Sequence, residues 1–155
     1  MAAAAKGRKA PDFDLETDGG RRVSLSSLRG TPVVVYFYPK DDTAGCTLEA
    51  VDFTRAAPAF SKAGVAVIGI SPDTVKSHDR FKKKHGLALV LAADPERTAI
   101  EAYGVWQEKS MYGRTFMGVE RSTFLIDREG RIAEEWRKVR VPGHVETVLA
   151  AAQAL

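Results

Sequence analysis

A chain of 155 residues suits one domain, long enough to bury roughly 70% of its unfolded-chain surface without disulfides or metals. Hydrophobic residues make up 45% of it and charged residues 28%, proportions that place it among ordinary globular proteins rather than disordered or membrane chains. The net charge of +3 gives no argument for nucleic acid as a partner.

No stretch reaches the length of a transmembrane helix, so no membrane association is expected. The start, Met1-Ala2-Ala3-Ala4-Ala5-Lys6, lacks the longer apolar region and cleavage site of a secretory signal. A lone cysteine fits a reducing compartment. The expectation is a cytoplasmic protein, with residues 1–155 forming a single domain and the first ten residues loose.

In chain order, Phe13–Glu16 alternates apolar and acidic residues, Asp18-Gly19-Gly20 is a turn, and Arg22–Leu25 returns, which reads as an N-terminal β-hairpin. Val33–Tyr38 is apolar throughout, as expected of a central strand covered on both faces. A helix is expected from about residue 45 to residue 64, with Leu48, Val51, Phe53, Ala56 and Phe60 as its apolar stripe and a kink or irregularity at Pro58. Val65–Ser71 is a second buried strand, followed by a helix from Thr74 to His85 that stops at Gly86. Leu87–Ala92 reads as a strand and Pro95–Tyr103 as a helix ended by Gly104. Thr123–Asp127, a turn at Arg128-Glu129-Gly130 and Arg131–Trp136 form an antiparallel pair. A last helix starts near His144, with Val145, Val148, Leu149 and Ala152 on one face. Alternating strands and helices, then an antiparallel pair, imply a mixed central sheet flanked by helices. Periodicity alone does not separate this from a flavodoxin-like fold.

The only cysteine, Cys46, stands where a helix begins, after a strand that ends at Pro39 and a short polar loop. The thiolate is the nucleophilic form, and a helix N-terminus or nearby cation lowers a cysteine pKa from about 8.5 to roughly 3.5–7.5. Thr43 can place its hydroxyl beside the sulfur or cap the helix, and Pro39 can shield one side of the pocket. A lone cysteine is equally readable as an inert, buried small hydrophobe. The spacing leaves both readings open.

Pro39-x-x-x-Thr43-x-x-Cys46 resembles the active-site motif of the peroxiredoxins. Phe37-Tyr38-Pro39-Lys40-Asp41-Asp42-Thr43, the segment Tyr103–Gly113, and Gly118-x-x-Arg121-Ser122-Thr123-Phe124-Leu125-Ile126-Asp127 are similar to the bacterioferritin-comigratory, or peroxiredoxin Q, subfamily. The likeness runs from about Pro11 to the C-terminus. It implies a thioredoxin-like α/β fold. It also implies a thiol peroxidase in antioxidant defence that reduces hydrogen peroxide and organic hydroperoxides without metal or organic cofactor. Carried over, Cys46 is the peroxidatic nucleophile, Pro39 and Thr43 are the motif's proline and threonine, Arg121 is the active-site arginine, and Glu49 orients that arginine.

The chain departs from the subfamily in having no resolving cysteine. Val51 stands five residues after Cys46, the Thr74–His85 helix carries no thiol, and Ala44 replaces a common proline. The resemblance therefore implies a one-cysteine variant, reduced by thioredoxin, glutaredoxin or a low-molecular-weight thiol and present as a monomer or weak dimer. The competing functions on the same fold are a thiol–disulfide oxidoreductase, which normally needs a second thiol, and a non-enzymatic holdase.

His78, His85 and His144 have no zinc-site spacing and read as surface histidines, and Lys82-Lys83-Lys84 reads as a solvated helix face. Asp41-Asp42 reads as an exposed turn. Trp106, Tyr112 and Met117 read as core, with the substrate entrance as the alternative.

Overall fold

The computed structural model describes residues 4–155. The hairpin strands are β1 (Asp14–Thr17) and β2 (Arg22–Ser24). The alternating part follows as β3 (Val33–Phe37), α1 (Ala44–Lys62), β4 (Ala66–Ser71), α2 (Val75–His85), β5 (Val90–Ala93) and α3 (Thr98–Ala102). It closes with β6 (Trp106–Met111), β7 (Arg114–Val119), β8 (Ser122–Ile126), β9 (Ile132–Trp136) and α4 (His144–Gln153). Seven strands form one mixed sheet in the order β2-β1-β5-β4-β3-β8-β9, with β3, β4 and β5 parallel and the outer pairings antiparallel.

The unbroken apolar run of β3 is explained by two cores, one on each face of the sheet. Val33, Val35 and Phe37 pack with Ile68, Ile70, Phe124 and the α3 residue Ile100. Val34, Tyr36 and Tyr38 pack on the other face with Phe53 and Phe60 of α1, Phe81 of α2 and Val148 of α4. A strand buried on both faces has no polar side to show.

Several expectations are corrected. The helix expected at Pro95 starts only at Thr98, because Arg97 adopts a left-handed φ of 61° and the Asp94 carboxylate accepts from the Thr98 and Ile100 N–H groups. The strand expected from Leu87 pairs only from Val90. α1 passes through Pro58 to Lys62, and Leu48 leaves its expected buried stripe for solvent. The segment before β1, expected to be loose, is tied down where described: Gly7 N–H donates to the Ile132 carbonyl, Ala10 N–H to that of Gly130, and Ala4 and Ala10 are buried. Residues 1–3 of that expectation lie outside the described residues. The sequence signalled no element between Tyr103 and Thr123, yet β6 and β7 form a separate hairpin there. Its two-residue turn, Tyr112-Gly113, has positive φ at both positions, as a tight hairpin turn requires. Tyr112 is 96% exposed at the tip and Met117 is exposed, so neither is core; Trp106 is half-buried beneath the Arg97 guanidinium.

Gly69 in β4 is needed for a close approach. A Cβ there would lie 2.7 Å from Cζ and 2.8 Å from Oη of the fully buried Tyr36. Gly69→Ala is expected to lower stability by about 1–3 kcal/mol through overpacking, read as a lower urea midpoint at unchanged slope; an unchanged midpoint would show that the ring yields freely.

Candidate active site

The site forms where β3 ends. Tyr38 and the half-buried Pro39 lead into a loop, and Thr43 with extended backbone (φ −98°, ψ 158°) opens α1. The first hydrogen bond of the helix runs from Thr47 N–H to the Thr43 carbonyl, so the N–H groups of Ala44, Gly45 and Cys46 precede the ladder. Cys46 thus lies in the first turn, 1% exposed, where the helix dipole favours negative charge. The Thr43 hydroxyl does not cap the helix; it donates to the Lys40 carbonyl at 2.9 Å, which leaves its oxygen free to accept.

Glu49 follows Cys46 by three residues and shares its helix face. Arg121 arrives from the far side of β3: the β3–β8 register pairs Phe37 with Ser122, which puts the residue before β8 beside the start of the loop. Its Nη1 donates to Glu49 Oε1 at 2.7 Å and its Nη2 to Cys46 Sγ at 3.3 Å. A Cβ on Gly45 would sit 3.1 Å from Nη2, so the absence of a side chain lets the guanidinium close over the helix start.

Glu49 is 0% exposed, and its Oε2 has no hydrogen-bond partner among the described residues. Burial pushes its carboxyl up to about 7, although the adjoining Arg121 pulls the other way. Burial also works against the charge of Arg121, but Glu49 and Cys46 outweigh it and hold the guanidinium charged. His144, read from sequence as a surface residue, is buried with Nε2 2.8 Å from Thr123 Oγ1; burial, then the Arg121 charge, pushes it down to about 4, so it is neutral beside the site. Lys109, which sequence reasoning did not mark, is half-buried, and burial, then the Arg121 charge, shifts its pKa down.

The structure therefore brings together Cys46, Glu49 and Arg121, with Thr43 at the helix start and Pro39 at the end of β3. It corrects two other readings. Asp41 is buried rather than exposed, and His78 is 0% exposed rather than on the surface; the two are joined at 2.7 Å. Asp42 is the exposed member of the acidic pair and contacts Lys84 and His85. Among the described residues no group of three or more His, Cys, Asp or Glu could hold a metal ion, and no helix is long and apolar enough to cross a membrane.

Glu49 carries a pH signature. A carboxyl raised from 4.5 to about 7 on folding stabilises the protein most below pH 4.5 and loses that contribution as pH rises to 7, by an amount on the order of 3 kcal/mol. Urea unfolding of wild type minus Glu49→Gln should show stability falling across this window and level above it. The subtraction removes the opposite slope of His144, whose contribution is lost as pH falls from 6.5 toward 4. A flat difference curve would show that Glu49 is ionised throughout.

The AhpC/TSA family model matches residues 6–135. Peroxiredoxin Bcp of Bacillus subtilis (strain 168) is 49% identical over 143 residues, covering 92% of this chain and 91% of the relative. Among solved structures, peroxiredoxin Q of Xanthomonas campestris aligns with a TM-score of 0.88 at 46% identity, over 92% of this chain and 90% of that one. A cysteine-to-serine variant of PrxQ from Xylella fastidiosa aligns with a TM-score of 0.93 at 38% identity, over 99% and 98% of the two chains. These are thioredoxin-fold proteins, and the mixed sheet flanked by helices is the same architecture. The chain belongs to the AhpC/TSA family, as a peroxiredoxin of the Bcp/peroxiredoxin Q type that carries a single cysteine.

Proposed function

We propose that this protein reduces hydrogen peroxide and organic hydroperoxides at Cys46 and is returned to the thiol by an external donor. The observation that carries the reading is the Arg121 guanidinium, hydrogen-bonded to Cys46 Sγ and Glu49 at once. Structures of the Xanthomonas campestris bacterioferritin comigratory protein, 46% identical, address its alkyl peroxide reduction activity, which supports the same chemistry here.

In the first step the Cys46 thiolate attacks one peroxide oxygen. An S–O bond forms, the O–O bond breaks, and the departing oxygen takes a proton and leaves as water or alcohol; the sulfur is oxidised to sulfenic acid. Arg121 is placed to stabilise charge on the sulfur and then on the moving oxygens. Glu49 keeps the guanidinium in one orientation. Thr43, its own proton engaged by Lys40, offers a lone pair to the peroxide O–H, and Pro39 shields the pocket where the strand ends.

With one cysteine in the chain, the sulfenic acid cannot close an internal disulfide. An incoming thiol attacks the sulfur and expels water to form a mixed disulfide, and a second thiol attacks the donor sulfur, releasing Cys46 as the thiol and leaving the donor oxidised to a disulfide. Thioredoxin, glutaredoxin and low-molecular-weight thiols all have this chemistry. The cycle needs no metal or organic cofactor, and the setting proposed is the cytoplasm, with a monomer or weak dimer. A thiol–disulfide oxidoreductase would need a second thiol, and a holdase has no use for a guanidinium on a buried sulfur.

Stopped-flow mixing of reduced protein with peroxide, followed by mass spectrometry, should show rapid loss of one thiol and a sulfenic acid at Cys46; reaction no faster than free cysteine would refute the reading. Cys46→Ser should abolish turnover. Arg121→Ala should slow the first step by about 10²–10³, the usual loss for one charge-stabilising donor. Non-reducing gels after oxidation should show mainly monomer, whereas a dominant covalent dimer would overturn the external-donor route.

A further inference from the structure

A second buried polar cluster lies next to the active-site loop and takes no part in the chemistry above. His78 on α2 places Nδ1 2.7 Å from Asp41 Oδ2 and Nε2 3.0 Å from the Ala92 carbonyl. A carbonyl oxygen only accepts, so Nε2 carries a proton. Asp41 has two further partners: Tyr38 Oη donates to Oδ1 at 2.6 Å and Ser77 Oγ donates to Oδ2 at 2.8 Å. The ring is thus fixed at both nitrogens, and the carboxylate that holds Nδ1 is itself fixed at both oxygens. Asp73 joins the same cluster: its Oδ2 accepts from the Asp41 backbone N–H at 2.8 Å and from Ser71 Oγ at 2.7 Å.

The loop is held at its next residue as well. Asp42, at a left-handed φ of 58°, turns its carboxylate away from that of Asp41 and takes Lys84 Nζ and His85 Nε2, each at 2.7 Å, from the far end of α2. Thr43 comes next, and Cys46 three residues later.

We propose that His78 is a positioning residue for the peroxide reaction: held between Asp41 and the Ala92 carbonyl, its ring fixes the Lys40–Thr43 loop to α2 and so sets where Thr43 and Cys46 meet the substrate. The inference rests on the peroxidase reading and adds to it a residue more than thirty positions from the cysteine motif. Because the pair acts through the loop, its effect falls on the rate of Cys46 oxidation.

Nitrogen-15 NMR of histidine-labelled, reduced, full-length protein at neutral pH tests the ring, with the His78 signals assigned by their loss in His78→Gln. A proton on Nε2 is expected, as its bond to the Ala92 carbonyl requires; a ring without a proton there overturns the proposal. Asp41→Asn keeps the shape of the side chain and removes its charge. It should move the Nδ1 signal and slow Cys46 oxidation by about tenfold to a hundredfold, the scale of a small misplacement of reacting groups, with the circular dichroism of wild type. His78→Gln should slow the step equally, and the double variant should be no slower than either single one, because the two residues form one unit. A wild-type rate in the single variants, or multiplied losses in the double, overturns the positioning role. Loss of the fold in both single variants makes the pair purely structural and overturns it too. The NMR arm uses no peroxide, so a ring without a proton on Nε2 overturns this proposal alone, whereas a wild-type thiol inert to peroxide overturns the peroxidase reading and this proposal with it.

Discussion

A single planar cation, bonded at once to a buried carboxylate and to a buried sulfur, is the constraint on which the site depends. Glu49 has no solvent exposure and one oxygen without a partner among the described residues, so Arg121 is the counter-charge that its ionised form has. Taking such a carboxylate out of water is costly, and a pair of this kind is retained more readily for geometry than for stability. Here the geometry is plain. One edge of the guanidinium is fixed by Glu49, and the adjacent nitrogen is thereby aimed at Cys46. A lysine could not do this, because its ammonium presents no rigid fork.

The fold makes that geometry cheap to maintain. A three-residue spacing on α1 puts sulfur and carboxylate on one face, and the antiparallel register of β3 with β8 delivers the arginine to the same end of the sheet. Because β3 is buried on both faces, the point where its chain leaves the sheet is rigid, and the loop begins from a fixed origin. The other end of the loop is the start of a nineteen-residue helix. Between the two, Asp41 and Asp42 tie the loop to α2, and no residue from Tyr38 to Thr43 is without a stated anchor except Pro39, whose ring restrains the backbone by itself.

Much of this was legible in the sequence, and the reasons for the rest are physical. β3 and β4 declared themselves through apolar runs, and α2 through Thr74 at one end and Gly86 at the other; the Thr74 side chain does accept from Ser77 N–H, and Gly86 does turn left-handed. The joining of Cys46, Glu49 and Arg121 was legible only through resemblance, since Arg121 is 75 residues from Cys46 and no local pattern links them. The hairpin of β6 and β7 escaped because its side chains are mostly exposed and lack the alternation that marks a half-buried strand. Asp41 and His78 were misread because charged and polar residues are normally solvated. Burial of each is made possible by the other, and a pairing across 37 positions leaves no trace in the order of residues.

The 1% exposure of Cys46 bears on what can reach the sulfur. A hydroperoxide group is only two heavy atoms deep and needs little room beside it. A thiol carried on a protein surface must approach the sulfur in line and bring its own backbone with it, which a sulfur so enclosed does not allow. The burial that shields the nucleophile thus sorts incoming groups by the bulk carried behind them, a selectivity that no single contact of the site supplies.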